Sequence, residues 1–185
     1  GGNGIELATE SVVLLWQTEK SLVKYLDMRD GKVSFYLEKA DSDDDSEEST
    51  NKVKEGNALI GAYDKAGKLI WSWHIWVTNG DPREETITLN GEEMMNRNLG
   101  AFTNSNGSTD GAEIFRSYGL YYQWGNKNPF VGPQRYNFPG NHDDSLYDDI
   151  DFDIYLSYEA SSAKVGTLEW SNANPMTLIK GNKEN

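Results

Sequence analysis

Ala58-Leu59-Ile60-Gly61-Ala62-Tyr63, Asp64-Lys65-Ala66-Gly67 and Lys68-Leu69-Ile70-Trp71-Ser72-Trp73-His74-Ile75-Trp76-Val77-Thr78 follow one another without a break, and their patterns decide the fold. Two apolar, β-branched and aromatic runs joined by a four-residue turn ending in Gly predict an antiparallel hairpin. In its second strand, Leu69, Trp71, Trp73, Ile75 and Val77 fall on one face and Ile70, Ser72, His74 and Trp76 on the other. Both faces are rich in large side chains, so the strand is expected to be covered on both sides.

Working outward, Ser11 to Trp16 is a short apolar run, and Lys32 to Leu37 alternates Val33, Phe35 and Leu37; both read as half-buried strands. Thr86 to Leu89 and Glu93 to Met95 flank Asn90-Gly91, the signature of a type I′ hairpin. One main helix is predicted near 113–124. Asp110 would cap it, Ile114, Phe115, Tyr118, Tyr121 and Tyr122 would share a stripe, and Gly125 would end it. Asn174-Pro175 would start a second, shorter helix. The expected class is α+β, mainly β, with antiparallel strands and hairpins. Residues 1–50 would hold N-terminal strands and an acidic loop, and 51–185 the aromatic hairpin, helix and long-loop region.

The chain has 185 residues, and 17 Lys plus Arg against 30 Asp plus Glu leave a net charge of −13. Such a charge, without a basic cluster, disfavours nucleic acid as a partner. Six Trp, ten Tyr and six Phe exclude a mainly disordered chain. With no Cys there is no disulfide framework, thiol nucleophile or Cys zinc site. No apolar run reaches the roughly 18 residues of a membrane span. Gly1-Gly2-Asn3-Gly4 reads as a processed start.

Thirteen of the acids lie in two blocks, six from Asp41 to Glu48 and seven from Asp143 to Glu159. The first reads as a solvated loop. In the second, Asp149, Asp151 and Asp153 resemble the start of a calcium loop, and they are the candidate metal ligands. Phe152 and Ile154 alternate with them, so an exposed strand with its acids outward explains the spacing equally well. No resident cofactor is otherwise expected. His74 reads as a structural histidine, and no Gly-x-Ser-x-Gly, His-Glu-x-x-His, Walker or dinucleotide motif is present. Trp and Tyr rings stack on sugar faces and anchor protein interfaces. Trp76, Phe130, Tyr136 and Phe138 are the candidate ligand-binding aromatics, whereas Trp71 and Trp73 are expected in the core. Arg97, set among Asn96 and Asn98, is expected to tie neighbouring carbonyls or an acidic loop together.

Several segments in one order carry a family resemblance. They are Gly56-Asn57-Ala58-Leu59-Ile60, Leu69 to Thr78, Met94-Met95-Asn96-Arg97-Asn98-Leu99-Gly100-Ala101, Tyr118-Gly119-Leu120-Tyr121-Tyr122-Gln123-Trp124-Gly125-Asn126-Lys127-Asn128-Pro129-Phe130, and Glu169-Trp170 to Asn174-Pro175-Met176-Thr177. Together they resemble Bacteroidetes fimbrillin-associated, fimbrial-tip-like surface proteins that carry a domain similar to the Fibrobacter major paralogous domain.

The resemblance implies C-type-lectin-like or β-sandwich-like elements and a non-enzymatic adhesion protein of the cell surface or fimbria. Such a protein would be anchored at the outer membrane through a removed lipoprotein signal. Its partners would be a glycan or protein ligand and other pilus subunits. The alternatives are a structural pilus-assembly or anchoring module and, more weakly, a carboxylate-based glycan-active enzyme. The same pieces are distantly similar to formylglycine-generating enzymes, whose cysteine or copper chemistry this chain lacks. Family members continue into a Cys-Pro-x-Gly-(Trp/Tyr)-Arg-Val-Pro motif that this chain does not contain, so the resemblance implies either a naturally short member or a chain truncated at its C-terminus.

Overall fold

Strand β4 (Gly56–Tyr63) is buried from Gly56 to Ala62, as a central strand with both faces covered must be. A computed structural model describes residues 7–40, 52–131 and 157–181. In it, β4 lies between β1 (Ser11–Gln17) and β5 (Leu69–Val77), antiparallel to both. The predicted hairpin is present, and the Asp64 carboxylate closes its turn by accepting from the Ala66 and Lys68 amides, each at 2.9 Å. This carboxylate-to-amide pattern is how Asp favours turns over continued strand. Strand β1 comes from the first fifty residues and β4 from the remainder, so the two segments share one sheet.

Strands β2 (Val23–Arg29) and β3 (Lys32–Leu37) form a hairpin beside this sheet, and β6 (Thr86–Leu89) and β7 (Glu92–Met95) form another. In the latter, Asn90 and Gly91 take φ of 53° and 88°, the left-handed pair that a type I′ turn requires. Strands β8 (Ser157–Ala160) and β9 (Thr177–Lys180) pair in parallel. Two short helices complete the described residues, α1 (Gly111–Arg116) and α2 (Leu168–Ala173). The class is α+β and mainly β. No helix among the described residues is long and apolar enough to cross a membrane.

Side chains alternate across β4 and so build two cores. Ala58 packs with Leu22, Val23 and Val77, joined by Leu26, Phe35 and Leu37 from the β2–β3 hairpin. Leu59, on the opposite face, packs with Trp16 and Val131, joined by Leu120 and Met176. Trp71 and Trp73, expected in the core, are half-buried.

The main helix is shorter than predicted. Asp110 caps it as expected, its carboxylate accepting from Ala112 N at 2.8 Å, but the helix ends at Arg116 rather than near Trp124. Gly119 (φ 71°) turns the chain back so that Leu120 N donates to Leu99 O at 3.0 Å, trading helical bonds for a long-range one. Asn174-Pro175 does not begin a helix. Asn174 is the C-cap of α2, which starts instead at Thr167, whose hydroxyl accepts from Trp170 N at 3.2 Å.

Candidate functional site: a cleft between the second helix and the sheet edge

The register of β4 and β5 sets Asn57 opposite Trp76, Leu59 opposite His74 and Gly61 opposite Ser72. On this face, Asn57 is 1% exposed and joins three segments. Its Nδ2 donates to Gly100 O at 2.9 Å, its Oδ1 meets His74 Nε2 at 2.9 Å, and its backbone N donates to Thr18 Oγ1 at 2.9 Å. Because Nδ2 is committed to a carbonyl, Oδ1 is the acceptor, which places the His74 proton on Nε2. The His74 ring also lies 6.4 Å from that of Trp16. Burial holds the His74 pKa down at about 4, so the ring is neutral at physiological pH and serves the structural role expected from sequence.

A pH dependence follows. The folded pKa of about 4 lies below the ordinary 6.5, so between those values the unfolded chain binds a proton that the folded protein refuses. This contribution falls as pH drops from 6.5 towards 4, by up to about 2 kcal/mol once partial solvent exposure of the ring is allowed for. Urea unfolding at pH 7.5 and 4.5 checks it. His74→Gln is expected to show a smaller acid loss than the parent by about that amount, and an equal loss would contradict a neutral, buried His74.

Further along β5, Ser72 Oγ donates to Asn128 Oδ1 at 2.5 Å, and Lys127 Nζ donates to Ser72 O at 2.8 Å and Ser72 Oγ at 2.7 Å. The ammonium also sits 4.3 Å from the centre of the Trp71 ring. Desolvation lowers the Lys127 pKa to about 8, which leaves it cationic at neutral pH. Lys127 thus engages a carbonyl of the outer strand of the sheet, where an open edge would otherwise invite strand pairing.

Two of the four sequence-predicted aromatics, Trp76 and Phe130, fall within the described residues. Trp76 is half-buried, and its indole N–H is enclosed without a partner among the described residues. Phe130 is 1% exposed, and its backbone exchanges hydrogen bonds with Tyr121 at 2.8 and 2.9 Å. It was expected at the surface because it sits among prolines, but the chain returns there to pair with Tyr121. Tyr136 and Phe138 lie outside the described residues, as do Asp149, Asp151 and Asp153 and the acidic block from Asp41 to Glu48. Arg97 does what its setting suggested: it donates to Phe102 O at 2.6 Å and to Asn96 Oδ1 at 3.0 Å, and it pairs with Glu85.

A concave feature of the described residues lies elsewhere, where α2 packs against β5. A cleft of about 580 Å³ opens there. Lys68, Leu69 and Ile70 form one wall, and Lys164, Glu169, Trp170, Asn172 and Asn174 contribute to the other. Within this lining Leu69 is buried and Trp170 is half-buried. Asn174 is fixed by donating from Nδ2 to Trp170 O at 2.8 Å. Asn172 Oδ1 is enclosed away from solvent and accepts no hydrogen bond among the described residues.

The cleft has a neighbouring aromatic segment. Gln123 clamps Ile179 through Nε2 to O at 2.8 Å and N to Oε1 at 2.9 Å, and Gly125 lies against Gly166 O. Trp124, carried between these two anchors, is 100% exposed.

Sequence reasoning missed this cleft. Trp170 stands in a six-residue helix too short to show a period, and its wall partner Lys68 is about a hundred positions away. Comparison with family models, with curated proteins and with solved structures gives no match to this chain.

Proposed function

We propose that the protein is a non-enzymatic adhesion component of the cell surface or fimbria, anchored through a removed lipoprotein signal, and that it binds a glycan in the cleft between α2 and β5. The observation that carries the binding reading is the cleft itself. It combines Trp170, the apolar Leu69 and Ile70 and the polar Asn172 and Asn174 in the lining of a volume of about 580 Å³, the size and mixture typical of small-ligand sites. An indole offers its face to the C–H side of a pyranose, while amides meet the hydroxyls. The surface location rests on the ordered resemblance of the segments 56–78, 94–101 and 118–130.

Trp170→Ala is expected to weaken glycan binding at least about tenfold on an immobilised glycan panel, because an aromatic anchor in a concave site carries a large share of the affinity. Trp76→Ala is expected to leave that binding unchanged.

A second reading, a pilus-assembly module, draws on the β6–β7 hairpin. Ile87 and Met94 are opposed in the register, and Leu89 shares their face; all three are exposed. Such an apolar face suits contact with another subunit. The same panel separates the two readings. A blank panel, together with subunit complexes that survive Trp170→Ala and fail with Ile87→Asp, would replace the glycan reading by the assembly one.

A further inference from the structure

We infer that the ligand of this cleft is an acidic saccharide, one bearing a single sugar carboxylate of the uronic-acid kind, held between Lys68 and Lys164. The inference rests on the glycan reading above and specifies its chemical class.

Its basis is an imbalance of charge. The chain carries −13 overall, and each described arginine is paired with a carboxylate: Arg29 with Asp27, Arg83 with Asp81, Arg97 with Glu85 and Arg116 with Glu55. Lys68 and Lys164 both line the cleft, and neither ammonium has an ion pair or hydrogen bond among the described residues. Among the described residues Glu169 is the one carboxylate of the lining, and it too is unpaired there, so the described lining has two cations to one anion. In a protein this acidic, a locally positive concavity is a selective feature. It draws a single carboxylate to short range, while the surrounding negative field opposes long polyanions.

The lining assigns roles by position. Trp170 is the aromatic of the lining available to the sugar ring, and Lys68 and Lys164 are its cations available to the carboxylate. Glu169 is available to accept from hydroxyls and disfavours a second negative charge.

Isothermal titration of the full chain with galactose oligomers ending in a single galacturonic acid and with all-neutral galactose oligomers of equal length tests this. The acidic ligand is expected to bind about tenfold tighter in low salt, with the preference shrinking as salt rises, as two partly solvated charge contacts would give. Lys68→Gln combined with Lys164→Gln should abolish the preference while leaving the neutral ligand bound. Glu169→Gln should enlarge the preference. All these side chains are exposed, so folding is not expected to confound the comparison, and circular dichroism of each variant checks that. Equal binding of acidic and neutral oligomers would overturn the inference and leave the glycan reading standing. So would a preference that persists in the double lysine variant. Failure of every oligomer to bind would overturn both.

Discussion

Replacing Asn57 by alanine is expected to lower the unfolding free energy by about 3 kcal/mol, because it leaves two buried groups without partners. The amide is 1% exposed and links the central strand to Gly100 O and to His74 Nε2. Without it, a carbonyl and an imidazole N–H are stranded where water enters poorly, and a small void remains between β4 and β5. Denaturant unfolding measures the loss. His74→Phe made in the Asn57→Ala background should cost less than it does in the parent, since the two residues share one hydrogen bond. A loss under about 1 kcal/mol for Asn57→Ala would mean that this polar bridge does not hold the sheet to the following loop.

Gly119→Ala is expected to cost as much or more, about 3–4 kcal/mol, through two effects that add. Its φ of 71° is unfavourable for any residue with a Cβ, and a Cβ there would lie 2.5 Å from Leu99 O and 3.2 Å from Ala101 N. Those are backbone atoms, which cannot swing aside as a side chain would. Gly91→Ala separates the two effects. Its φ is 88°, but a Cβ there meets nothing within 4 Å, so only the conformational part, about 1 kcal/mol, should be lost. Thermal unfolding of the two variants is expected to show a fall in Tm about three times larger for Gly119→Ala. Equal falls would mean that the approach of Gly119 to Leu99 is not tight in solution.

These positions also explain what the sequence made legible. The central hairpin could be read because its alternation, its turn chemistry and its burial all act locally, and the Asn90-Gly91 hairpin for the same reason. Strand β2 was not read, because Tyr25 takes a φ of 54° and the register slips between Lys24 and Asp27, breaking the alternation that marks a strand. The helix was read too long because Tyr118, Tyr121 and Tyr122 keep a helical spacing. What stops it is the contact of Gly119 and Leu120 with Leu99, a partner that spacing does not reveal.

The same limit applied to the candidate site. Phe130 looked like a loop aromatic yet is buried through its pairing with Tyr121, and Trp76 looked exposed yet encloses its indole N–H. Trp170 gave no local signal at all. Its setting is made by the packing of α2 on the start of β5, and no pattern within either segment encodes that meeting. The net −13 and its two acidic blocks were legible, but nothing in the sequence shows that Lys68 and Lys164 line one concavity.

The central claim is that the Trp170 cleft receives a sugar. It is tested most directly by following the six tryptophan indole N–H signals of the full chain by nitrogen–proton NMR during titration with oligosaccharides that end in a single uronic acid. The Trp170 signal, assigned through Trp170→Phe, is predicted to shift in a saturable, dose-dependent way while that of Trp76 stays in place. A saturable shift confined to other tryptophans, with Trp170 unmoved, would contradict the account.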